Sequence, residues 1–120
     1  MAIVKDDILI DRSSTGAIDR DLLGRLSEGD IEFERELLET YLEDAQICLE
    51  QLEIAFAGSN WQAVIEIAHQ LKGASGNVGA AGMAELAAQL ERQAQQQEGR
   101  DLLQHLQRTL LAIEQIVADW

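Results

Sequence analysis

Proline is absent from the 120-residue chain, and cysteine occurs once. Without proline, helices can run uninterrupted, and the turn signals of a β-sandwich or barrel are missing. A lone thiol, Cys48, cannot close an internal disulfide, which favours a reducing, cytoplasmic setting over secretion. Aromatic residues are few (Phe33, Tyr41, Phe56, Trp61 and Trp120), so Leu, Ile, Val and Ala must build the core. Cations are scarce as well: 9 Lys and Arg stand against 22 Asp and Glu, a formal net charge of −13. That deficit excludes binding to nucleic-acid phosphates and disfavours adsorption to an anionic membrane. The longest early apolar stretch, Ile8 to Ile10, is too short for a signal-peptide core or a membrane span, so no membrane insertion is expected.

What is present is 47% apolar residues, enough for the core of one domain of this length. Strong helix formers fill long stretches, and an all-α fold is expected. Residues 1–17 hold no sustained period and read as a tail or strap. Asp19 can cap a short helix ending near Ser27 to Gly29. From Asp30 to Ala57 the residues Leu38, Tyr41, Leu42, Ala45, Cys48, Leu49, Leu52, Ala55 and Phe56 recur at spacings of three and four, forming one buried stripe. Asp30 is its natural cap, and Glu32, Glu34 and Glu36 suit the positive end of the helix dipole. A third helix is expected from Trp61 to about Ser75, capped by Ser59 or Asn60, and a fourth from Ala80 or Ala81 to the Gln-rich link. The last, from about Arg100 to Ala118, carries Leu103, Leu106, Leu110, Ile113 and Val117 as a bundle seam. Four long helices on short links predict an antiparallel up-down four-helix bundle over residues 18–120, with a short additional N-terminal helix.

One segment departs from a plain bundle. Around Gly73, Gly76 and Gly79, helix stability is sacrificed at about 1 kcal/mol for each glycine within a helix. On an ideal helix Trp61, Val64, Ala68, Leu71 and Ser75 form the buried stripe, and His69 points about 120° away from its centre, toward solvent. Gln62, Glu66, Gly73 and Gly76 share its outer strip, Ile65 flanks it, and Lys72 lies beside it at i+3. Lys72 is the only charged residue from Ile67 through Ala84, so acid is expected to be kept away from this imidazole. A bare imidazole with one cation in reach and room for another protein suits a nucleophile that accepts a phosphoryl group.

The run Ala68-His69-Gln70-Leu71-Lys72-Gly73-Ala74-Ser75-Gly76-Asn77-Val78-Gly79-Ala80 resembles the A-H-x-L-K-G-x-[SA]-x-x-[hydrophobic]-G-A signature of histidine-containing phosphotransfer (HPt) domains, the shuttles of bacterial and fungal phosphorelays. The resemblance extends more loosely from about Ile18 to Trp120. It implies a four-helix bundle whose phosphoaccepting histidine is exposed midway along the second bundle helix. His69 would then be the phosphoacceptor, Lys72 the phosphate-neutralising cation, Gly73 the position whose missing side chain admits the partner, and Gly79 a turn residue. Some relatives place a glutamine amide near the histidine from the following helix. Glu91 holds the matching position here, and as a carboxylate it is expected to orient the imidazole, with Gln89 as second candidate. Gln62, Ile65, Glu66, Gly76 and Asn77 are the expected docking patch.

The partners implied are receiver domains of response regulators or of a hybrid sensor histidine kinase. The receiver would supply Mg²⁺, with no cofactor of this chain's own and no autonomous kinase activity. A monomer is expected, and Met1 with the unpatterned tail favours a free shuttle. The alternative is a non-catalytic helical docking module, which would dispense with His69 and Lys72. A sensor-kinase phosphoacceptor helix is disfavoured, since His69-Gln70-Leu71-Lys72-Gly73-Ala74 lacks the acid and proline of the H-E-x-x-T/N-P pattern. His105 reads as a boundary residue and Cys48 as core. Two histidines and one cysteine on different helices make no metal site. The nine carboxylates between Asp30 and Ala57 read as a solvated face, with discrimination among receivers as the functional alternative.

Overall fold

Five helices follow one another in the computed structural model, which describes residues 18–120: α1 (Arg20–Ser27), α2 (Ile31–Ala57), α3 (Trp61–Asn77), α4 (Ala81–Ala94) and α5 (Leu102–Ala118). The expected tail or strap, residues 1–17, lies outside the described residues. Short polar side chains set three of the starts. Asp19 accepts from the Leu22 amide at 3.0 Å, Asp30 from Phe33 at 3.1 Å and Asn60 from Ala63 at 3.1 Å. Each satisfies an amide that the first helical turn leaves without a partner. The α1 helix stops where Glu28 and Gly29 adopt the left-handed conformation. The α5 helix starts later than its sequence suggests. Arg100 is drawn out of it, its guanidinium bonded to Phe56 O and Ser59 Oγ and lying over the Phe56 and Trp61 rings.

Helix α3 packs against α2 and α4, and α5 closes the ring against the same two, with α1 resting on α2. The expected all-α bundle with a short extra helix is therefore found. Its centre is aliphatic: Leu38 and Leu52 of α2, Val64 and Leu71 of α3, Met83 and Leu90 of α4, and Leu106 and Ile113 of α5 are all fully buried. Each such side chain contributes about 1.5–3 kcal/mol through burial, which outweighs the weak helical preference of the glycine-bearing α3. Leu42 is only half-buried rather than part of the inner stripe. Its position at the flank of α2 faces the rim of the neighbouring helices, where fewer atoms cover it.

Three contacts fix the ends of α3 and α2. Gly79 has φ +78°, and a Cβ there would stand 3.0 Å from Asp19 Cβ and 3.1 Å from Asp19 O. The close approach lets Asp19 N donate to Gly79 O at 2.7 Å, so the turn after α3 is tied to the start of α1. Glu34, read in the sequence as part of a solvated acidic face, is 6% exposed. Ser27 Oγ donates to it at 2.8 Å and Trp120 Nε1 at 3.1 Å, so the buried carboxylate is satisfied. In the interior, the hydroxyls of Tyr41 and Ser75 lie 2.7 Å apart and join α2 to the last turn of α3.

Candidate functional site

His69 lies midway along α3, on the face turned from the core, with its side chain 68% exposed. The 3.6-residue period alone puts it there, because Ala68 and Leu71 on either side are drawn fully into the interior. Across from it, the register of the α3–α4 hairpin brings in Glu91. The Nδ1–H of His69 donates to Glu91 Oε2 at 3.0 Å, and Lys72 Nζ donates to Glu91 Oε1 at 2.9 Å. One carboxylate thus holds both the imidazole and the neighbouring ammonium. The Lys72 hydrogen bond, and after it the His69 ring, keep the Glu91 carboxyl below its ordinary range despite partial desolvation.

Acid is kept away from His69 along the chain but not in space: Glu91, expected from its matching position to orient the imidazole, lies against the ring. The stretch from Ile67 to Ala84 is free of carboxylates, yet a carboxylate from the next helix occupies the site. Gln89 is not brought to it. Two residues from Glu91 on a helix, it faces another side of α4 and is half-buried there.

The glycines leave space. A Cβ on Gly73 or on Gly76 would meet nothing within 4 Å, so neither is demanded by packing within the bundle. Of the other residues on this strip, Gln62 and Glu66 are exposed and joined by an amide-to-carboxylate hydrogen bond of 3.0 Å. Ile65 is half-buried and packs against the core. Gly76 and Asn77 are exposed but open onto different surfaces. Gly76 borders a groove of about 480 Å³ between the start of α1 and α4, with Leu22, Ala84, Ala88 and Arg92. Asn77 borders one of about 400 Å³ between α2 and α3, with Phe33, Leu37 and Ala74. His105 is exposed on α5, and Cys48 is buried, its thiol pushed up by burial and then by the charge of Asp44.

Among the described residues, no group of three or more His, Cys, Asp or Glu side chains converges to hold a metal ion, and no helix is long and apolar enough to cross a membrane. Sequence reasoning missed the pairing of Lys72 with Glu91. Only a register argument between α3 and α4 could have found it.

The chain is similar to known proteins in sequence and in fold. Residues 36–119 match the family described as the Hpt domain. The sensory/regulatory protein RpfC from two strains of Xanthomonas campestris pv. campestris is 38% identical over 74 residues, 62% of this chain. The chain spans only 10% of the length of those relatives. The crystal structure of histidine-containing phosphotransfer protein B from Pseudomonas aeruginosa PAO1 superimposes with a TM-score of 0.79 at 26% identity, covering 86% of this chain and 92% of that one.

Proposed function

The chain belongs to the Hpt domain family, whose members are histidine phosphotransfer intermediates of phosphorelays, and on that premise we propose that His69 is its phosphoacceptor. His69 takes a phosphoryl group from the aspartyl phosphate of one receiver domain and passes it to another. The observation that carries this reading is an exposed imidazole whose Nδ1 is committed to Glu91. That leaves Nε2, with its lone pair, pointing outward for in-line attack.

Lys72, one turn from the ring, is the cation available to a phosphate on Nε2. Gly73 and Gly76, with no neighbour to occupy, leave the approach open. Gln62, Glu66 and Gly76, with Ile65 at their flank, frame the docking surface around His69, Asn77 extends it only at its edge toward the α2–α3 groove, and Glu91 orients the ring. Catalysis of phosphoryl transfer rests on positioning and charge stabilisation, and this face supplies only part of that. Mg²⁺ and the acidic pocket come with the receiver, so the chain acts without kinase activity of its own, as a cytoplasmic monomer.

The test mixes the protein with a labelled phospho-receiver and Mg²⁺ and follows acid-labile, alkali-stable phosphate. The expected result is label on the wild type and none on His69→Gln. Equal label on the variant overturns the assignment, and binding without transfer from any receiver supports a docking module instead.

A further inference from the structure

Along α2 a second apolar stripe runs beside the buried one. Phe33, Leu37, Ile47 and Ile54 each stand one position before a buried residue (Glu34, Leu38, Cys48 and Ala55), which turns them about 100° out of the core. Phe33 is 42% exposed, Ile47 51% and Ile54 74%, and Leu37 is half-buried. On α3 the residues Ala63, Ile67 and Ala74 stand in the same relation to Val64, Ala68 and Ser75, half-buried at the edge of the core. The first turns of the α2 stripe and the last turns of the α3 stripe wall the α2–α3 groove. Phe33, Leu37, Ala74 and Val78 make its apolar sides, Glu36 and Asp44 are exposed at its rim, and no Lys or Arg lines it.

This groove begins close to the histidine. Ala74 and Asn77 lie five and eight residues beyond His69, about 7.5 and 12 Å along α3. A specific interface covers about 800 Å² on each partner, a patch about 16 Å in radius, so a protein seated on His69 overlies the near end of the groove. The other flank is different in kind. The groove beside Gly76 is floored by Ala84 and Ala88, carries both signs in Asp19, Glu85 and Arg92, and has no exposed large apolar side chain in its lining.

Resting on the assignment of His69 as phosphoacceptor, we propose that the α2–α3 groove is the selective part of the docking surface: Phe33, Leu37 and Ala74 receive apolar side chains of the receiver, and Glu36 and Asp44 are specificity-determining residues that favour a receiver flanking those side chains with Lys or Arg. Apolar burial supplies affinity with little discrimination, whereas charges at the rim speed the encounter with a partner of opposite sign and reject one of like sign. At physiological ionic strength charges are screened over about 8 Å, so the carboxylates within the contact decide, not the formal net charge of −13. Of the nine carboxylates between Asp30 and Ala57, Glu34 is turned into the interior, while Glu36 and Asp44 stand at the groove. Glu53 and Glu98 lie at the opposite end of the bundle, where Arg100 of the α4–α5 link meets Phe56 of α2.

The experiment measures KM and kcat for loading from one labelled phospho-receiver that loads the wild type, at about 0.15 M and about 1 M salt. For Glu36→Gln/Asp44→Asn, KM is expected to rise about threefold to tenfold at the lower salt with kcat unchanged. The difference is expected to close at about 1 M, where screening acts within about 3 Å. An unchanged or lowered KM overturns the proposal. An equal rise for Glu53→Gln/Glu98→Gln also overturns it, since that pair removes the same charge far from the groove. Titration of each variant with the unphosphorylated receiver reads affinity without transfer. The Kd of Glu36→Gln/Asp44→Asn is expected to weaken by the same factor, and an unchanged Kd overturns the proposal. A wild type that binds the receiver but takes no label would instead overturn the phosphoacceptor assignment itself.

Discussion

Lys72 Nζ lies 2.9 Å from Glu91 Oε1, so the cation one turn from His69 is already neutralised by its own bundle in the unmodified protein. A phosphoryl group with close to two negative charges must therefore compete with Glu91 for this ammonium. The side chains are 39% and 20% exposed, and an ion pair so placed is worth little to the fold, while it sets the electrostatics of the site.

Lys72→Ala separates those two effects. The loss of a partly exposed pair is expected to change unfolding free energy by less than about 1 kcal/mol. Removal of the ammonium one turn from the ring is expected to lower the rate of loading from a phospho-receiver by about tenfold or more. Urea unfolding and a time course of label check the two halves. A loss of stability as large as the loss of transfer would contradict the division of roles.

Gly73→Gln is expected to move stability and activity in opposite directions. A Cβ at this position meets nothing within 4 Å inside the bundle, and replacing a mid-helix glycine with a good helix former stabilises by about 0.5–1 kcal/mol. The melting temperature should rise by a few degrees while phosphotransfer slows, because the new side chain projects into the partner's approach. A variant that is both more stable and equally active would remove the clearance argument.

The buried Tyr41–Ser75 pair should behave non-additively. Tyr41→Phe and Ser75→Ala each leave a buried hydroxyl without its partner, at an expected cost of about 1–3 kcal/mol, whereas the double variant should be destabilised by less than the sum of the two. Alkaline unfolding gives a second check. Burial, only partly offset by the hydrogen bond from Ser75, pushes the Tyr41 phenol up to about 12 from 10.0. A raised folded-state value means that this contribution is intact below the unfolded value and is lost as pH rises from about 10 to about 12, some 2–3 kcal/mol in all. Tyr41→Phe should lack that part of the alkaline loss, as read from urea midpoints across this range.

Much of the bundle was legible along the chain because its causes are local. Asp19, Asp30 and Asn60 cap the turns that follow them, and recurrence at three and four residues marks the buried stripes from Leu38 to Phe56 and from Val64 to Ser75. The same period turned His69 outward, since a residue's direction on a helix depends only on its neighbours' spacing. The start of α5 was less legible, because Arg100 is taken by Phe56 O, Ser59 Oγ and two aromatic rings contributed by the α2–α3 junction.

By itself, then, the sequence determined an acidic all-α chain with an exposed histidine, a nearby lysine and unfilled glycine positions around them. The resemblance offered Glu91 and Gln89 as partners for that histidine, and tertiary structure decided between them and joined Lys72 to the same carboxylate. Glu91 reaches His69 and Lys72 through the register of α3 against α4, Gly79 is held against Asp19, and Glu34 is enclosed by Ser27 and Trp120. Capping and periodicity act over one or two turns, whereas the register between helices comes from the joint packing of side chains far apart in the chain. A window without carboxylates along the chain could therefore still fold into a site with a carboxylate at its centre.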